Sequence, residues 1–164
     1  KVQLQTYPFV KEIVWLIQSP DLDTSNKDLF DFRNHNMTNM IYQMYNSNIV
    51  INGNNVAPVM SSKFFNLIQR WETHYSDKSY FNTPGYSLNL NNKEYANEIY
   101  NYSFGLTPDK VEPSGFLSTD KYNNVILEVN LNRNLVESQR VLRIYQVRLN
   151  IYRVKNGHFS ILHS

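Results

Sequence analysis

Tyr100 to Gly115 reads YNYSFGLTPDKVEPSG, and the order of these residues decides how the rest of the chain is read. Tyr100, Tyr102, Phe104 and Leu106 recur at period two, with Asn101, Ser103 and Gly105 between them. Successive side chains of a strand point to opposite faces, so the four apolar residues predict one face of a β-strand. Pro108 cannot donate to a ladder and is expected to stop that strand. Pro113, Ser114 and Gly115 suit positions i+1 to i+3 of a type I turn, in which proline sets φ in advance. Residue chemistry alone therefore gives a strand, a charged surface loop and a tight turn.

Working outward, Phe9 to Ile17 predicts a strand whose later half is apolar on both faces, as in a strand covered on two sides. Ser19-Pro20 ends it, and Asp21 to Asn39 is polar enough for a long loop anchored by Leu29, Phe30 and Phe32. Ile41 to Asn52 is a second strand region, closed by the turn signal Asn52-Gly53-Asn54. Ser61 or Ser62 can cap a helix whose stripe would be Phe64, Ile68, Trp71 and Tyr75, spaced four, three and four. Such a helix is expected to pack over the end of a sheet sandwich. Tyr80 to Leu90 is a weaker segment, broken by Pro84-Gly85. On the C-terminal side, Val125, Leu127, Val129 and Leu131 alternate with polar residues. Tyr145, Val147, Leu149 and Ile151 do the same and are assigned here to the inward face of a strand. Asn156-Gly157 before Phe159 to Leu162 is a hairpin signal. Several strands, one helix and no βαβ rhythm predict a mostly antiparallel sandwich.

The chain has 164 residues, which suits a single domain burying roughly 70% of its unfolded surface. It begins at Lys1, as expected of a piece of a longer chain. Sixteen basic and fourteen acidic residues leave a net charge of +2, without the concentrated basic footprint that binding nucleic acid requires. Cysteine is absent, which excludes disulfides, thiolate metal sites and a cysteine nucleophile. No apolar run reaches the roughly 18 residues of a membrane-spanning helix.

No arrangement of residues predicts catalysis. His35, His74, His158 and His163 lack a zincin spacing, and His158 with His163 would need a third ligand brought in from elsewhere. Glu94 and Glu98 are four apart but lie where the chain enters a strand, so a solvated rim is the expectation. Ser114 lacks the preceding glycine of a nucleophile elbow. Arg140, Arg143, Arg148, Arg153 and Lys155 form one basic cluster divided between two strand faces. That division suits a solvated surface, or contact with an acidic neighbouring subunit, better than a phosphate track. Asn36-Met37-Thr38 and Asn101-Tyr102-Ser103 match the glycosylation pattern, but Asn101 falls inside an expected strand. Hence no catalytic, cofactor-binding or metal residue is assigned.

Four stretches, taken in order, carry a family resemblance. They are Phe9 to Gln18; Asp28-Leu29-Phe30-Asp31-Phe32 with Ile51-Asn52-Gly53; Tyr102 to Pro108 with Pro113-Ser114-Gly115; and Ile144 to Gly157. Together they resemble the second, C-terminal jelly roll of the major capsid proteins of nucleocytoplasmic large DNA viruses. The chain departs from the family's pattern at Phe116 to Lys121, at Asn54-Asn55 and at Phe159 to Ser164. The resemblance implies an all-β, antiparallel jelly-roll sandwich with one short helix. It also implies a structural role: homotrimeric, pseudo-hexagonal capsomers that tile an icosahedral shell, with neighbouring capsomers and minor capsid proteins as partners. A jelly-roll carbohydrate-binding module or metal-dependent jelly-roll enzyme is the competing expectation, and it would need a concave pocket with converging polar groups.

Overall fold

The computed structural model describes residues 1–18, 42–74, 98–132 and 140–161. In chain order these form β1 (Val2–Gln3), β2 (Val10–Gln18), β3 (Met44–Ile51) and β4 (Asn54–Ser61). A π-helical turn, Phe64–Ile68, then runs straight into α1 (Gln69–Thr73). After it come β5 (Ile99–Ser103), β6 (Val125–Leu131), β7 (Val141–Arg148), β8 (Tyr152–Lys155) and β9 (His158–Ile161). One sheet has the order β1-β6-β3-β4, a second β5-β2-β7, and β8-β9 forms a third, separate ribbon. Every pairing is antiparallel.

The two larger sheets share one apolar core. Trp15, Ile13 and Tyr100 from the second sheet join Ile49, Leu127 and Ala57 from the first in a single buried cluster. Trp15 is fully buried, edge-on to Phe65 at 5.2 Å and stacked on Tyr100 at 6.1 Å. As its sequence predicts, β2 is covered on both faces, with eight of its nine residues buried. A bulge between Val10 and Glu12 sets its register against β7. The extra residue turns Val10 to the same face as Ile13 and Trp15, so the strand enters the core one position early.

Both asparagine-glycine signals are tight hairpins. Asn52 and Gly53 have φ of 47° and 84°, and Asn156 and Gly157 have 54° and 77°. Positive φ at both central positions is the type I′ geometry that matches the twist of paired strands. The strand β4, which the sequence left unassigned, is the return arm of the first hairpin.

The helix lies along the edge of β5. Asn66 Nδ2 donates to Ile99 O at 2.7 Å, and Ser103 N donates to Gln69 Oε1 at 3.3 Å, so helix side chains satisfy backbone groups of that strand. The expected stripe is displaced. Phe65, Asn66 and Thr73 are the buried residues, whereas Ile68 and Trp71 are exposed. No side chain caps either helical segment, and Ser61 is the last residue of β4. A π turn adds a residue to the helical repeat, so the apolar residues no longer follow the α-helical period. Tyr75 lies outside the described residues, as do the segment from Ser19 to Asn39 and the weak segment from Tyr80 to Leu90.

Two strand assignments are corrected. First, β5 ends at Ser103, and Leu106 is 79% exposed. Ser103 Oγ donates to Gly105 O at 2.5 Å and accepts from Gly105 N at 3.1 Å. This local loop diverts the chain before Pro108 can. Tyr100, Tyr102 and Phe104 do share the core-facing side as expected. Second, β7 presents Leu142 and Ile144 to the core, not Tyr145 and Val147. Val141, Tyr145 and Val147 are exposed on the opposite face, and Leu149 and Ile151 fall after the strand. Apolar residues occur at both parities here, so alternation alone could not choose between the faces.

Candidate interaction surface

The motif from Tyr102 to Gly115 builds a rigid base for an exposed loop. A Cβ on Gly105 would lie 2.8 Å from Gly115 O, and one on Gly115 would lie 2.9 Å from Phe104 O. The two backbone stretches therefore touch where only glycines fit, and Gly115 has a φ of 142°. Ser114 Oγ accepts from Thr107 N at 2.8 Å, which makes Ser114 a structural brace between the two ends of the loop. The bend lies at Thr107–Lys110, where Lys110 N donates to Thr107 O at 3.3 Å. Pro113, Ser114 and Gly115 form no such turn, and Gly115 instead packs its backbone against Phe104 and Gly105. Lys11, itself buried, donates from Nζ to Lys110 O at 2.6 Å and pins the loop from below. Leu106 and Val111 are left exposed at 79% and 90%.

A second exposed surface is the β8-β9 ribbon, all of whose residues face solvent. Tyr152 pairs with Ile161 and Val154 with Phe159, and the Tyr152 and Phe159 rings stack at 5.0 Å. These four share one face, while Arg153, Lys155, His158 and Ser160 take the other.

The polar groups singled out in the sequence do not converge. His74 Nε2 lies 3.0 Å from Glu12 Oε2, and His158 sits far along the ribbon. His35, His163, Glu94 and Asn36 lie outside the described residues. Among the described residues no group of three His, Cys, Asp or Glu could hold a metal. The basic residues separate as well: Arg143 Nε donates to Gln18 Oε1 at 2.7 Å, and the Arg148 guanidinium lies 4.1 Å over the Tyr7 ring. Asn101 is buried in β5, where no glycan could reach it.

Glu98 overturns the expectation of a solvated rim. It is buried, and one carboxylate oxygen accepts from Gln43 N at 2.7 Å and Tyr100 Oη at 2.6 Å. Burial raises its pKa to about 7, against the lowering pull of those two hydrogen bonds and of Arg140. The same burial, with Glu98 beside it, pushes the Tyr100 phenol upward. No sequence signal marks Glu98 as buried, since its partners come from β5 and from the start of the β3 region.

A groove of about 460 Å³ lies between the N-terminal segment and β7, lined by Leu4, Tyr7, Ile144, Tyr145, Gln146 and Arg148. It holds one cation, already placed on a tyrosine ring, and no carboxylate or histidine among its lining residues. No helix among the described residues is long and apolar enough to cross a membrane.

No protein-family model matches the sequence, and no curated protein does. Solved structures do match. One is a quasi-atomic model of the PBCV-1 virus capsid, with a TM-score of 0.65 and 15% identity over 99% of this chain and 45% of that one. Another is the crystal structure of PBCV-1 VP54 fitted into a cryo-EM reconstruction of the virophage Sputnik, with a TM-score of 0.63, 15% identity and the same coverage. The chain spans less than half the length of these structures. At this identity the likeness establishes the fold, an all-β antiparallel jelly roll with one short helix, as the sequence motifs implied.

Proposed function

We propose that this chain is a structural subunit of a viral capsid, the C-terminal jelly roll of a two-jelly-roll protein. It self-assembles into homotrimeric, pseudo-hexagonal capsomers that tile the icosahedral shell of a large double-stranded DNA virus. The observation that carries this reading is the match of 99% of the chain to two capsid structures. The 45% coverage of those structures is what one jelly roll of a two-jelly-roll chain would give. The surface supports it too: polar groups are dispersed, while large apolar side chains stand exposed on a braced loop and a ribbon. That pattern suits contact between subunits rather than turnover of a substrate.

On this reading the protein catalyses nothing, needs no cofactor and touches no nucleic acid. It is assembled in the host cytoplasm and resides in the virion. Its partners are copies of itself, neighbouring capsomers and minor capsid proteins.

Native mass spectrometry and electron microscopy of the full-length protein test the proposal. The expected result is a trimer, with interfaces burying more than about 2,000 Å², as in obligate assemblies. A protein that stays monomeric at high concentration would overturn it. Stoichiometric metal or specific glycan binding would favour the jelly-roll enzyme or carbohydrate-binding module instead.

A further inference from the structure

We infer that, in the full-length protein, the residues directly before Lys1 continue β1 along the open edge of β6 and pair with its end at Val129 and Leu131. The inference rests on the capsid reading, which places another jelly roll ahead of this one, and names how that half joins the first sheet. β6 is paired with β3 along its whole length, from Val125 against Ile51 to Leu131 against Met44. Its other side carries only β1, at Ile126 and Leu127. In an antiparallel pair the hydrogen bonds to one neighbour fall on alternate residues. Leu4 N donates to Val125 O at 2.8 Å, so the backbone groups on this side belong to Val125, Leu127, Val129 and Leu131. Among the described residues no strand meets the last two.

Burial follows the same line. Val125 and Leu127, beside the N-terminal segment, are 1% and 0% exposed, Val129 is half-buried, and Leu131 is 47% exposed. Val2, directly across from Leu127, is left 38% exposed. An apolar strip therefore opens where the neighbouring strand stops. Further residues opposite Val129, Asn130 and Leu131 would cover both the strip and the free backbone groups of the edge.

Direction and register select the occupant. β1 is antiparallel to β6, so the chain leading into Lys1 comes from the side of Leu131. Lys1 Nζ lies 2.5 Å from Glu128 Oε1, which carries the register of Val2 with Leu127 one rung further. Extended by that register, the residue before Lys1 faces Val129, the second faces Asn130 and the third faces Leu131. The first and third should be apolar, since they share a face with Leu127 and Val129. A strand of a second copy would have to end where Lys1 begins and displace the chain that enters there. The preceding segment meets no such conflict and pairs at the effective concentration of a short tether. The other half of the protein is thereby tied to the Leu131 end of the first sheet.

Asn130→Cys, combined with a cysteine two places before Lys1, tests this in the full-length protein. The two positions would form a non-hydrogen-bonded pair with Cα atoms about 4.5 Å apart, within disulfide reach. An intrachain disulfide, located by peptide mass mapping, should form at least about tenfold faster than with the upstream cysteine moved by one residue, which turns it to the other face. In the unaltered full-length protein, the Val129 and Leu131 amides should exchange hydrogen at least about tenfold more slowly than unpaired amides. A disulfide between chains would overturn the inference in favour of a second copy's strand. Trimers that lack the intrachain disulfide and exchange these amides freely would overturn it and leave the capsid reading standing. A protein that forms the intrachain disulfide but never assembles would keep the strand and remove the capsid reading.

Discussion

Gly105 and Gly115 show how a single missing side chain holds the central motif together. Their backbones approach so closely that either Cβ would fall inside 3 Å of a carbonyl oxygen. Gly115 is the stricter of the two, because its φ of 142° strains any other residue as well. Gly115→Ala should therefore destabilise the fold by about 2–4 kcal/mol, read as a fall in thermal midpoint. An unchanged midpoint would mean the two segments can part without cost. Glu98 sets a different residue-scale constraint. Its pKa of about 7 in the fold lies above the ordinary 4.5, so the folded state binds more protons than the unfolded state between those values. Stability is then full below about pH 4.5 and falls as pH rises through 7, by up to about 3 kcal/mol from this group. Glu98→Gln keeps an oxygen for Gln43 N and Tyr100 Oη but carries no charge. It should flatten the stability profile between pH 5 and 8 in chemical denaturation. A variant whose profile still falls as steeply would place the titration elsewhere.

At the scale of elements, what the sequence disclosed depended on how many faces each element buries. β2 was legible because it is covered on both sides, and a run from Ile13 to Ile17 says so without any choice of face. The two hairpins were legible because asparagine-glycine demands a type I′ turn. β4 was not, because only Ala57 of its eight residues is buried and the rest carry no alternation. β7 misled for the opposite reason: Leu142 and Ile144 compete with Tyr145 and Val147, and only tertiary packing decides between them. Glu98 and the helix face were hidden too, one by partners distant in sequence and the other by a π turn. The β7 correction is testable by a pair of substitutions. Ile144→Asp should cost several kcal/mol, because it places an unpaired charge against the core. Val147→Asp, on a side chain 38% exposed, should cost the isolated chain only about 1 kcal/mol. Urea denaturation of both variants at low protein concentration measures the difference. Equal losses would return Val147 to the core.

At the scale of the whole molecule, the proposed function would place stability and assembly in different parts of the chain. The two larger sheets share a core centred on Trp15, which neighbours Phe65 and Tyr100 and is closed to solvent. Contacts of that kind are intramolecular and persist at any dilution. Among the described residues the β8-β9 ribbon contributes nothing to that cluster, and its two strands pair only with each other. A capsid subunit built this way would fold first and be completed by its neighbours. Amide hydrogen exchange separates the two contributions, since local opening free energies vary across one structure. Amides of β2 and β3 should exchange slowly both in dilute monomer and in assembled protein. Amides of β8 and β9 should exchange within seconds to minutes in the monomer and gain at least about tenfold protection on assembly, the factor that 1.4 kcal/mol of added local stability supplies. If the ribbon is as protected in dilute monomer as in the assembly, its stability comes from within the chain, and its apolar face is not the surface that neighbours complete.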